Sequence, residues 1–210
     1  MPEFAVFITG KPPPKALNRA LLLIQDFEFG EYPEDSQWTL LTSKKLPSTA
    51  PGATSLPVSD IRDNNDFSSM SLAEINDFIR ANEDALSAID ISSGDWLVID
   101  QKGFETSTCL VCEQFYNPGE ESEGEGEEGL TDEFRAARLP YEEAHGMIVN
   151  LDIANMGFEE YVDEEAGVQE DGAWRWQSFS SGADDNDDMT DEDIKREKAL
   201  QELRDGGHVD

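Results

Sequence analysis

Basic residues are scarce in this chain. Fifteen lysines and arginines stand against 47 aspartates and glutamates, a formal net charge of −32 over 210 residues. A surface so negative repels nucleic-acid phosphates and anionic bilayers at long range. The expectation is therefore no nucleic acid and no membrane among its partners, and a preference for basic proteins. Cysteine is nearly missing: Cys109 and Cys112 allow one disulfide at most. Histidine is limited to His145 and His208, so no cluster with metal-ligand spacing contains one. The longest apolar run, Ala20 to Ile24, is far below the ~20 residues that cross a bilayer. The start, Met-Pro-Glu-Phe, lacks the basic and apolar regions of a signal peptide. Together these absences predict a soluble protein of the cytoplasm or nucleus.

Sequence signatures of catalysis are lacking as well. No Gly-x-Ser-x-Gly elbow, phosphate-binding loop or dinucleotide-binding glycine fingerprint occurs. The acidic run from Asp184 fails as a calcium loop: Met189 stands where glycine is needed, and Lys195 where the closing glutamate belongs. Cys109-Leu-Val-Cys112 has redox spacing but lies in a strand pattern, where residues three apart face opposite sides. The expectation is two buried free thiols, no metal, no cofactor and no assignable catalytic residue.

What the chain does have is hydrophobic matter for one core. Hydrophobic residues make up 38%, with 11 Phe and 4 Trp, enough for a single domain of about 130–160 residues. The pattern predicts an α/β domain over residues 18–180, with a central mixed sheet flanked by helices. Residues 1–17 are expected as an extension and 181–210 as an acidic tail with a terminal helix. Residues 4–9 have strand composition, stopped by the glycine and prolines at 10–14, a stiff linker. The continuous apolar run at 20–24 predicts a buried strand. Residues 34–45, with Trp38 and two closing lysines, predict a helix; 56–61 predict a short strand. Ser71 and Glu74 form a capping box that opens a helix over 72–82. Ser93-Gly-Asp95 reads as a turn before a strand at 96–100. With 107–116 this makes a hairpin, and a further strand follows at 133–139. Between the last two, the Glu/Gly run at 120–129 (inside a 117–132 insertion) reads as a disordered loop. A second capping box at Thr190 starts a helix with a thin apolar face, suited to docking on a partner.

Phe134-Arg-Ala-Ala-Arg-Leu-Pro140, then Asn150-Leu-Asp-Ile-Ala-Asn-Met-Gly-Phe-Glu-Glu-Tyr161, then Gly172-Ala-Trp-Arg175 resemble the end of a small domain family of unknown function. Looser likeness extends over residues 18–180. This chain departs from the family pattern at Gly157, in the acidic insertion and at both extended ends. The resemblance implies an α/β domain and transfers no catalytic residues.

The candidate contacts to a ligand or partner are Arg135, Asn150, Asn155, Glu159, Glu160, Trp174 and Arg175. Asparagines within an apolar stretch serve as caps or as polar contacts. Trp and Arg together favour protein contacts. Two functional expectations follow. The leading one is a non-enzymatic interaction module for a basic protein partner, of open oligomeric state. The alternative is an enzyme or small-ligand domain with a site in residues 150–161, which requires Arg135, Asn155 and Glu159 to share a cleft. A scaffolding role through helix 189–205 is a third reading.

Overall fold

Strand β1 (Glu3–Ile8) occupies the middle of a sheet, and its sequence shows why. Phe4, Val6 and Ile8 belong to the core on one face, Ala5 and Phe7 to the core on the other. A parallel strand covered on both sides needs such an unbroken apolar run. The segment expected as an extension is thus part of the sheet. In the computed structural model, residues 2–117, 129–177 and 189–210 are described. The 118–128 stretch, holding nearly all of the expected disordered loop, and 178–188 lie outside them.

The chain continues through helix α1 (Pro14–Leu23), β2 (Trp38–Leu41), α2 (Leu72–Ala81), α3 (Glu83–Ser87), β3 (Ile91–Ile99) and α4 (Gln101–Thr106). Then come β4 (Thr108–Asn117), β5 (Gly129–Pro140), α5 (Ala144–Asp152), β6 (Trp174–Arg175) and α6 (Asp191–Asp205). The six strands form one mixed sheet in the order β2-β1-β3-β4-β5-β6. The pairs β2-β1 and β1-β3 are parallel, β3-β4 and β4-β5 antiparallel, and β5-β6 parallel. The α/β expectation holds, as does the antiparallel pairing of β3 and β4, although helix α4 joins them in place of a turn. The expected insertion does join two adjacent strands, β4 and β5.

Four local expectations are corrected. Residues 20–24 are helical: Leu17, Ala20, Leu21, Leu22 and Leu23 all enter one core, and Pro14 pre-sets the first turn. Residues 34–45 hold the short strand β2, whose Trp38 indole donates to the Ile24 carbonyl at 2.8 Å. Residues 56–61 are irregular; Asn18 of α1 clasps them, accepting from the Val58 N–H at 2.7 Å. Ser93-Gly-Asp95 lies inside β3, as a bulge: Glu3 and Ala5 of β1 face Ile91 and Trp96 of β3, so three extra residues bow out.

Helices α1, α5 and α6 cover one face, α2 and α3 the other. The helix after β1 and those after β2 therefore lie on opposite sides, so a switch point falls between the carboxyl ends of β1 and β3. The two chain segments nearly touch there. A side chain on Gly10 would meet the backbone of Asp100 and Gln101 at about 3 Å. The capping box of α2 forms as expected, with the Ser71 N–H donating to Glu74 at 2.8 Å. Helix α6 also forms behind its capping box, but it packs on α1 of its own chain, burying Leu200.

Candidate functional site

Side chains of one parity on β3, β4 and β5 face α5. At the end of the sheet this places Asp95, Glu113 and Arg135 in a row across three strands, paired in register. Arg135 bonds Glu113 at 2.6 Å and also Glu159, and its guanidinium lies 5.3 Å from the Phe115 ring and 4.6 Å from that of Phe158. Asp95 is 7% exposed, and its Oδ1 has no hydrogen-bond partner among the described residues. Burial, reinforced by the neighbouring Glu113 and Asp152, pushes its pKa up to about 8. Burial also raises Glu113, against the pull of Arg135.

The 150–161 stretch closes over this row. Asn150 donates to the Gly146 carbonyl at 2.7 Å and accepts from the Asn155 amide at 2.7 Å. Its own carbonyl takes the Asn155 N–H at 3.0 Å, ending α5. Glu160 folds back to accept from the Gly157 N–H at 2.9 Å, while Phe158 and Tyr161 are buried. The asparagines thus pin the turn that leaves α5 to the helix, and Arg135 with Glu159 forms a packed ion pair. Trp174 packs on the core from β6, beside Ala137, and Arg175 is exposed beside Arg138. Of the seven candidates, Arg135 meets Glu159 and Asn150 meets Asn155. Asn155 hydrogen-bonds neither Arg135 nor Glu159.

A second charged layer lies at the carboxyl end of β3. Arg138 holds Asp100 bidentately, at 2.6 and 3.1 Å, and reaches Asp171 at 2.8 Å, which Lys102 also grips at 2.8 Å. Burial alone would raise the Asp171 pKa, but the Lys102 and Arg138 hydrogen bonds hold it near about 2. This network ties α4, β5 and the loop before β6 together. The cysteines face opposite sides of the sheet, and burial pushes both thiols up.

The open space with the most chemistry lies on the α1 face. A cleft of about 610 Å³ is walled by the loop after α1, the start of α5 and the start of α6. Six carboxyl groups line it: Asp26, Glu28, Glu142, Glu143, Glu192 and Asp193. One guanidinium lines it, that of Arg196, already bonded to Glu192 and Asp193. Asp26 folds its loop by accepting from the N–H groups of Glu28 and Phe29 at 2.9 and 3.0 Å. This leaves the Phe29 ring 86% exposed at the rim. His145 bonds Gln37 at 3.0 Å and sits 3.9 Å from Asp26; burial lowers its pKa and favours the neutral ring, with Asp26 opposing. Glu143 is shifted upward by burial and by Glu192 and Glu142. Gln25, 4% exposed, donates to the Leu21 carbonyl and leaves its Oε1 without a partner among the described residues. No group of three or more His, Cys, Asp or Glu among the described residues is close enough to hold a metal ion.

None of these cleft residues was a candidate from the sequence. They come from three separate segments, in a chain where acids are everywhere, and only packing gathers them.

A family model for a domain of unknown function, DUF6924, matches residues 30–177. The chain belongs to DUF6924. The match covers β2 through β6, including the Asp95–Glu113–Arg135 row and the 150–161 segment. It omits β1, α1 and α6, so two of the three cleft walls lie beyond the matched DUF6924 residues. No curated protein and no solved structure matches the chain. No helix among the described residues is long and apolar enough to cross a membrane.

Proposed function

We propose that this protein is a non-enzymatic interaction module that receives a basic segment of a protein partner in the cleft between α1, α5 and α6. One observation carries the reading: a cavity of about 610 Å³ lined by six carboxyl groups and a single, internally paired cation. Such a lining attracts positive charge, and the net charge of −32 steers a basic partner toward it. The wide spread of the carboxyls suits an extended cationic chain better than a point ion. The exposed Phe29 ring supplies an apolar anchor at the rim. The alternative, a small-ligand site at residues 150–161, has less support: Arg135 is spent between two carboxylates and two rings, and the asparagines bond each other.

The test is a titration of the full chain with a fluorescent basic peptide, at low and at high salt. The expected result is binding that weakens with salt and weakens at least tenfold in the E28Q/E142Q/E143Q variant. If the variant binds as tightly as the native chain, the acidic runs outside the cleft are the attraction and the cleft reading falls.

A further inference from the structure

Cations of different shape make different demands on such a cleft, and its interior is built for one of them. Arg196 of α6 projects into the wall with its side chain 13% exposed. Its guanidinium carbon lies 5.7 Å from the centre of the Phe27 ring, within cation–π range. Glu192 and Asp193, one turn back on the same helix, hold its two terminal nitrogens. Its Nε is buried without a hydrogen-bond partner. In the same cleft the Gln25 Oε1 is a buried acceptor without a donor. An acceptor and a donor thus stand unsatisfied in one cavity, where each unmade bond costs stability.

The helix that carries Arg196 is loosely held. Leu200 is its one fully buried residue, with Ala199 and Leu203 partly buried beside it and Val209 buried just past its end, while Ile194 and the preceding Met189 are exposed. Its outer attachments are exposed ion pairs, Lys195 with Glu31 at 3.7 Å and Lys15 with Asp210 at 2.7 Å, a kind that contributes little. An open groove of about 150 Å³ runs between α6 and Phe27, Tyr32 and Pro33. Few packed contacts and solvent-exposed ion pairs mark an element that opens before the rest of the fold.

We infer that the cleft recognises an arginine side chain, and that Arg196 is its internal occupant, whose side chain swings out and loosens α6 when an arginine of a basic partner enters. This rests on the basic-segment reading above and names the side chain that the partner presents. A guanidinium is planar and carries five donors. The Phe27 ring, Gln25 and the carboxyls of Asp26 and Glu143 all line the cleft, so a guanidinium meets there a ring face, an unpartnered acceptor and anions. A lysine ammonium offers a compact charge with no face to stack. Arg196, tethered to its own helix, satisfies the ring and leaves Gln25 unmet, so an incoming arginine has a contact that the resident one lacks.

The experiment uses the full chain and two peptides of equal length and charge, one arginine-bearing and one lysine-bearing. Binding is read by fluorescence anisotropy, and amide hydrogen exchange is followed across residues 191–205. The expected result is about tenfold tighter binding of the arginine peptide and faster exchange in α6 when it is bound. R196Q, which removes the internal occupant, should tighten the arginine peptide several-fold, with R196K in between; unchanged exchange in β1 and β3 shows that both variants are folded. Equal affinity for the two peptides with α6 exchange unmoved overturns this inference while leaving the basic-segment reading in place. Binding of neither peptide to native chain or variants overturns both.

Discussion

Asp95 on β3 stands directly across from Glu113 on β4, and of these two carboxyls the cation of the row, Arg135, bonds only Glu113. Two carboxyls opposite each other cannot both ionise cheaply where water is excluded. The pair is therefore unequal: Glu113 has Arg135 to offset the rise that burial causes, and Asp95, without a cation, keeps its proton to about pH 8.

That inequality makes Asp95 a stability switch of known sign. In the unfolded chain an aspartate ionises near pH 4; in the fold this one ionises near about 8. Between those values the unfolded state binds fewer protons, so stability falls as pH rises. By pH 8 the loss from this group is on the order of 5 kcal/mol. Asp95→Asn mimics the neutral acid, and thermal melts from pH 5 to 8.5 should show it gaining stability over the native protein toward the alkaline end. Parallel pH profiles for the two proteins would rule out a buried, protonated Asp95.

Arg135 is expected to matter for folding rather than for binding. Its guanidinium is clamped between Phe115 and Phe158 and bonded to Glu113 and Glu159. Arg135→Met keeps the packing but strands the half-buried Glu113 beside Asp95. Loss of one partner from a buried pair costs about 3–5 kcal/mol. Adding Glu113→Gln should restore more than half of that, because the stranded charge is then gone. Urea denaturation of both singles and the double measures the coupling. A single-variant cost below about 1 kcal/mol would show that the pair is solvated.

These residues mark the border of what the sequence discloses. The capping boxes at Ser71 and Thr190 were legible because their chemistry is local: an oxygen and a carboxylate three residues apart satisfy each other's amides. The strand character of 4–9 and the pairing of β3 with β4 were legible from composition and turn signals. The run at 20–24 was not, since α1 is covered by both the sheet and α6, and five consecutive apolar residues fit a buried strand equally well. The turn signal at 93–95 was real but became a bulge inside β3, a tertiary outcome. Arg135 and Glu159 could be named as candidates from their types; that Asp95 completes their row depends on register across three strands. The cleft is less legible still, because six acids among 47 carry no local mark.

Within the cleft, Glu143 should impose a pH dependence on binding. Burial and the nearby Glu192 and Glu142 raise its pKa, so its neutral form persists to higher pH than that of a free glutamate. A bound cation favours the ionised form. Affinity for a basic peptide should therefore climb as pH rises through the Glu143 pKa and level off above it, with protons released on binding below the plateau. Calorimetry in buffers of different ionisation enthalpy reads that release, and Glu143→Gln should abolish it. Proton uptake on binding would contradict the assignment.

The two capping boxes offer a last comparison, since one motif serves two helices with different hold on the core. Helix α2 buries Ile75 and Ile79 in the core under the sheet, whereas α6 buries Leu200 alone. Replacing an N-cap hydroxyl by alanine costs about 1 kcal/mol in either helix. For Ser71→Ala that cost reaches the whole domain, because α2 cannot open without exposing the core, and Tm should fall by roughly 2–4 °C. For Thr190→Ala the cost falls on a helix that opens on its own. The melting temperature should stay within about 1 °C of the native value. Amide exchange in residues 191–205 should rise about fivefold, the equilibrium equivalent of about 1 kcal/mol. Equal shifts in Tm for the two variants would mean that α6 unfolds with the domain, and would remove the basis for treating it as a separable strap.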